Sequence, residues 1–306
     1  MAFFLTPSVK SRAAQPYDTL APMKALVLGG GGITGIAWEP GLPTGLAAAG
    51  TDLTGADRVI GPSAGSSVGS LGASDTPLDE LYRRQLLEPG DPEGPTEAPL
   101  AAIGPRVLAT YALAMLRARG DVERFGRLLG ARAVRAAARG RTPSIAERYD
   151  QVRQRLTTTQ WPERDLVVTA VDAETGELAA FRPGGEVGLE DAVNASCAVP
   201  CVYPAIPIGP RTYVDGGMRS GANADLAAGC DRVVVLSPLD RSLGPIRSAR
   251  QQLEELGVPH LVITPDDASR AAIGKNVLDP AARPGSARAG HAQAAAYADR
   301  VRELWG

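Results

Sequence analysis

Histidine, cysteine and aromatic side chains are scarce in this sequence, and neither sign of charge prevails. His260 and His291 do not form a closely spaced metal-ligand set with Cys197, Cys201 and Cys230, so neither structural zinc nor any other metal site is expected. Three cysteines are too few and too irregular for a disulfide framework, which points to a reduced, cytoplasmic protein. A formal net charge of -2 over 306 residues offers no strongly basic face, and this argues against nucleic acid as a partner. No run approaches the roughly 18 apolar residues of a membrane span. The apolar patch Ala2 to Leu5 is too short for a secretory core, and its basic neighbours follow it rather than precede it. Residues 1–22 therefore read as a loose leader, and 23–306 as one domain.

What the chain has in quantity is glycine, 35 residues, and proline, 25. The glycines cluster where apolar runs end. KALVL (Lys24 to Leu28) reads as a buried strand running into four glycines, and Ile36 to Ala49 as a helix whose first turns are doubtful because of Pro40 and Pro43. Asp57 to Ile60 repeats the pattern, with a glycine turn and then a helix. Further strands are expected at Asp165 to Asp172, with a hairpin partner at Glu177 to Phe181, and at Arg211 to Val214, Arg232 to Leu236 and His260 to Ile263. The region 72–145 reads as a variable charged insertion. Its first part is acidic and proline-rich, a loop after Leu87; its second, Arg106 to Arg141, is arginine-rich and helical, broken near Gly104 and Gly120. Ala287 to Leu304 reads as an alanine-rich helix packed on the outside. Strands alternating with helices predict an α/β fold, a mostly parallel sheet with helices on both faces.

Three glycine clusters carry the chemistry. Gly30, Gly32 and Gly35 after a strand fit the dinucleotide fingerprint, with Asp52 or Asp57 as a ribose ligand, but consecutive glycines also expose backbone N–H groups to any phosphate or oxyanion. GPSAG, Gly61 to Gly65, fits G-x-S-x-G, in which a sharp strand-to-helix turn lifts Ser63 into solvent and leaves room only for small neighbours. Asp215 ends a short strand and precedes Gly216 and Gly217, a carboxylate on a turn with no bulk beside it. Each alone is as readily a small-residue turn. Together they supply a nucleophile, donors for an oxyanion, and a base.

With these motifs in order, the sequence resembles the patatin-like phospholipase family. GGGGITG is similar to that family's oxyanion loop, GPSAG to its serine elbow and DGG to its aspartate motif; NASCAVPCVYPA (Asn194 to Ala205) and NADLA also resemble family segments. The similarity runs from about Lys24 to Leu236. The resemblance implies a three-layer fold and a lipid acyl hydrolase without a cofactor, acting on a phospholipid or another long-chain ester. It implies that Ser63 attacks the ester, that Asp215 takes its proton with no histidine between them, and that N–H groups around Gly30, Gly31 and Gly32 hold the oxyanion. Gly35, Gly61, Gly65, Gly216 and Gly217 support those turns. His260, at the start of a strand, and His291, in the terminal helix, fit structural places. Two departures stand out: Thr34 occupies a position usually basic in the family, and Pro62 lies inside the elbow. A nucleotide-binding module and a catalytically inactive lipid-binding relative stay open as alternatives, as does peripheral membrane contact by the arginine-rich segment, for which a solvated helical face is the plainer reading.

Overall fold

The computed structural model describes residues 22–74, 76–94, 103–239 and 247–306; the expected leader falls almost wholly outside them. In chain order the elements are β1 (Lys24–Leu28), α1 (Gly32–Ala48), β2 (Arg58–Pro62), α2 (Ala64–Gly72), α3 (Leu78–Gln85), α4 (Pro105–Ala118), α5 (Val122–Ala138), α6 (Ile145–Arg155), β3 (Asp165–Asp172), β4 (Leu178–Phe181), α7 (Leu189–Ser196), β5 (Ile206–Ile208), β6 (Arg211–Asp215), β7 (Arg232–Leu236), α8 (Ala249–Leu256), β8 (His260–Ile263), α9 (Asp267–Ile273), α10 (Arg283–Gln293) and α11 (Ala298–Trp305).

The strands form one sheet in the order β5-β6-β3-β2-β1-β7-β8, with β4 also on β3. The pairs β3–β2, β2–β1, β1–β7 and β7–β8 are parallel; β4, β5 and β6 pair antiparallel. The sheet is therefore mostly parallel, as expected. The two-residue period of the strands feeds both faces. Leu26, Leu28, Val234 and Leu236 pack with Trp38, Leu42 and Leu46 of α1, while Ala25, Val27, Val233 and Val235 pack on the other side with Leu253 of α8. Helices cover both faces, which gives three layers.

One register decides where the chemistry can occur. Val168 of β3 pairs with both Gly61 and Phe181, and Ala170 pairs with both Ala179 and Asp215. Because β4 takes one edge of β3, β2 and β6 must share the other. They meet end to end there, β2 finishing opposite Thr169 and β6 opposite Ala170. Ser63 follows β2 directly, and Asp215 is the last residue of β6.

Three expectations are corrected. First, α1 begins at Gly32 rather than Ile36 and takes Pro40 and Pro43 into its interior. Each proline withholds one helical donor, and the Thr44 hydroxyl bonds the Pro40 carbonyl at 2.8 Å. Second, the alanine-rich C-terminal segment is not a single outer helix: it breaks into α10, a 3₁₀ turn at Ala294–Ala296, and α11. Third, α10 is buried against α1, where the backbones approach so closely that a Cβ on Gly290 would lie 2.4 Å from the Trp38 carbonyl oxygen. The three-residue β5, with Pro207 at its centre, was not expected.

Candidate active site

The elbow at Ser63 is built from close backbone approach. A Cβ on Gly65 would fall 2.0 Å from the Leu28 carbonyl oxygen, so only glycine lets α2 start this near β1. Ser63 itself takes φ 50 and ψ -117, a sparsely populated conformation for a residue with a side chain. The surroundings hold it there. Its N–H donates to Ser196 Oγ at 2.9 Å, and its carbonyl accepts from Ser66 Oγ at 2.7 Å and Cys197 Sγ at 3.2 Å. The NASC stretch thus supports the elbow from the end of α7. Pro62 has become the last residue of β2, paired with Thr169.

Asp215 is 2 % exposed. Its N–H donates to the Ala198 carbonyl, and its Oδ1 accepts from the Gly217 N–H at 2.8 Å. The turn that carries it is tied down by Asn223, whose amide donates to Thr169 Oγ1 and to the Gly216 and Ser220 carbonyls. Burial pushes the carboxyl up to about 6; the Gly217 N–H, the Ser63 hydroxyl and the Arg148 charge each draw it partway back. Oδ2 has no partner of normal hydrogen-bond geometry, although Ser63 is near enough to lower the carboxyl.

The glycine loop offers a narrower set of donors than its sequence suggests. The Gly30 N–H is committed to the Gly221 carbonyl at 2.7 Å. Among the described residues, the N–H groups of Gly31 and Gly32 have no hydrogen-bond partner, and neither does that of Ala64, which follows the serine. Gly32, not Gly31, carries the positive φ, +62; Gly31 is extended at -171. Gly31 is constrained by packing instead, since a Cβ there would sit 2.6 Å from the Pro238 Cβ. The Thr34 hydroxyl faces inward to the Gly31 and Val277 carbonyls, both at 3.4 Å, and brings no charge.

Ser63, Asp215 and the loop from Gly30 to Gly32 line one cavity of about 130 Å³, whose walls are mostly apolar and include Ile36, Met218 and Leu278. Neither histidine lines it. His260 Nδ1 bonds the Val258 carbonyl at the opposite end of the strands, and His291 stacks on Tyr82. Further polar side chains line it, among them Tyr111 of α4 and Arg148 of α6, both buried. Neither had a sequence signal beyond its place on a helix. Asp52 and Asp57 are not among the lining residues: Asp52 accepts from Thr54, and Asp57 from the Lys24 N–H.

A family model described as patatin-like phospholipase matches residues 26–228. Among solved structures the chain is similar to VipD from Legionella pneumophila, with 13% identity and a TM-score of 0.45, covering 91% of this chain and 67% of that one. It is also similar to the type III effector protein ExoU, with 14% identity and a TM-score of 0.40, covering 92% of this chain and 53% of that one, so it spans about half of ExoU's length. No curated protein matches the chain.

Proposed function

The chain belongs to the patatin-like phospholipase family, and from that premise we propose that it cleaves carboxylic ester bonds of lipids through a Ser63–Asp215 dyad and an acyl-enzyme. The observation that carries this reading is the end-to-end meeting of β2 and β6 on β3, which brings a strained serine and a buried carboxylate to one apolar cavity. Ser63 Oγ attacks the ester carbonyl carbon and gives its proton to Asp215, while the carbonyl electron pair collects on oxygen. The N–H groups of Gly31, Gly32 and Ala64, at or beside helix N-termini, suit that charge. Collapse expels the alcohol with the proton held by Asp215, and water then releases the acid by the same route.

A carboxyl near 6 is largely ionised at neutral pH and yet a better base than an ordinary aspartate. The reading places the protein in the cytoplasm, as three free cysteines suit. Peripheral contact with a lipid surface fits α4, whose outer face exposes Leu108, Leu113 and Leu116 while Tyr111 lines the cavity from its inner face. No helix among the described residues is long and apolar enough to cross a membrane.

The test is labelling with a fluorophosphonate, mapping of the modified residue, and measurement of fatty acid released from phospholipid vesicles. Modification of Ser63 with fatty acid release is the expected result. NAD or ATP binding without esterase activity would favour the nucleotide module instead, and acyl-chain binding without turnover an inactive relative.

A further inference from the structure

The buried guanidinium of Arg148 has no part in the proton and acyl transfers as described. Arg148 is 1 % exposed and lines the same cavity as Ser63 and Asp215. A cation removed from water is costly unless a carboxylate pairs with it and its N–H groups are satisfied. Arg148 has neither advantage in full. Nη2 donates to the Cys197 carbonyl at 3.3 Å, Nη1 to Gln151 Oε1 at 3.4 Å, and the guanidinium lies over the Tyr203 ring at 4.0 Å. Among the described residues, Nε has no hydrogen-bond partner and no carboxylate stands within ion-pair distance. Each of these direct partners is neutral, so no contact ion pair balances the guanidinium, and inside the protein its charge acts over longer distances than in water.

The groups around Asp215 narrow what that charge can serve. Ser63 approaches from the end of β2, Tyr111 from α4 and Arg148 from α6; Cys197, just after α7, lines the same cavity, and Cys201 lies nearer to Tyr111. Arg155 also lines the cavity but has interactions of its own. Burial first, and then the Asp215 charge, raise the Tyr111 phenol well above its ordinary range, and burial raises the Cys201 thiol. Tyr111 is thereby held neutral beside the carboxylate, and the Cys201 thiol is favoured over its thiolate. Burial lowers the Arg148 guanidinium from its ordinary range, but an arginine starts so high that it keeps its proton at any working pH. It is also joined mechanically to the nucleophile, because the carbonyl it holds belongs to Cys197, whose Sγ donates to the Ser63 carbonyl.

We infer that Arg148 is a positioning residue for the acyl-transfer step, its buried positive charge holding the Asp215 carboxylate ionised and ready to take the Ser63 proton at neutral pH. Burial alone would favour the protonated, unreactive acid. The Gly217 N–H and the Ser63 hydroxyl oppose burial through local bonds, and Arg148 opposes it through its charge from across the cavity. The inference rests on the dyad reading.

The test is kcat/KM for a neutral short-chain p-nitrophenyl ester from about pH 5 to about pH 9, measured on wild type, Arg148→Met, Arg148→Lys and Asp215→Asn, with circular dichroism confirming each fold. Arg148→Met should move the acid limb to higher pH, with the rate recovering to within about tenfold of wild type above it. Arg148→Lys, which keeps the charge, should leave the limb in place. A limb unmoved in Arg148→Met, an equal loss at every pH, or a rise in KM alone would overturn the inference and leave the dyad standing. Wild-type turnover by Asp215→Asn would remove the dyad and this inference with it. Should Arg148→Met fail to fold, Arg148→Gln decides, since it keeps polar N–H donors without the charge: a limb moved to higher pH supports the role of charge, and an unmoved one contradicts it.

Discussion

Two buried carboxylates, one at the end of β6 and one inside α1, show what the fold does to make an acid useful. Asp215 is met by the Gly217 N–H, the Ser63 hydroxyl and the charge of Arg148, and it settles at about 6. Glu39 is fully buried with both oxygens unpartnered, and burial drives it well above the ordinary carboxylate range. The Gly29 N–H lies near enough to lower Glu39 a little but is committed to the Leu236 carbonyl at 2.8 Å. One carboxyl can therefore exchange a proton near neutrality, and the other is pushed by burial toward its neutral form in the core. The difference lies in the neighbours: burial acts on both, and only Asp215 has donors aimed at its charge.

The largest expected effect separates the two directly. Asp215→Asn should lower kcat on the p-nitrophenyl ester by several orders of magnitude, since an amide cannot accept the serine proton, whereas Glu39→Gln should stay within about tenfold. Equal losses would break the comparison. A second test concerns the loop that runs near both groups. Gly31→Val must displace Pro238 and close off the free amides, and losing one oxyanion donor costs about 10²–10³ in kcat. Full activity in Gly31→Val would put the oxyanion elsewhere.

Stability sharpens the comparison on a smaller scale. Both carboxyls are raised in the folded state above their unfolded values, so the protonated group's contribution is present at low pH and lost as pH rises. For Asp215 that loss runs from about pH 4 through about pH 6 and amounts to about 3 kcal/mol. Urea unfolding should show Asp215→Asn more stable than wild type at about pH 8, with the gain fading below about pH 4. Glu39→Gln should behave with the same sign. A variant destabilised at the higher pH would show that its carboxylate is compensated by something other than the groups named. The smallest effects belong to the histidines: His260→Ala and His291→Ala should each remain within about tenfold in kcat, a packing disturbance of about 1.4 kcal/mol.

Much of this was legible in the sequence, for reasons that also mark its limits. KALVL, DLVVTAVD and RVVVL announce strands because continuous apolar runs bounded by glycine suit strands covered on both faces. The elbow and the aspartate turn were visible as types of turn. Their meeting was not, because it depends on β2 and β6 sharing one edge of β3, a long-range pairing that no local pattern encodes; only the family resemblance anticipated it. The inward packing of α10 was not legible: it rests on close backbone approach at Gly41, Gly45 and Gly290, and an alanine-rich stretch is equally compatible with a surface. Arg148 carries no mark distinguishing it from the other arginines: its burial comes from the Tyr203 ring and Cys197 carbonyl, both distant in sequence. The commitment of the Gly30 amide to Gly221 is likewise a tertiary fact, and it leaves Gly31 and Gly32 as the loop's free donors.

The central claim, that Asp215 takes the proton of Ser63 with no histidine between them, is tested most directly by the pH dependence of kcat/KM in wild type, Asp215→Asn, His260→Ala and His291→Ala. An ordinary histidine titrates at about 6.5, so an acid limb at about 6 does not by itself identify the base. The account predicts that the limb stays in place in both histidine variants and that Asp215→Asn leaves only a residual rate without it. A limb that disappears in a folded histidine variant, with Asp215→Asn still turning over ester, would contradict the account.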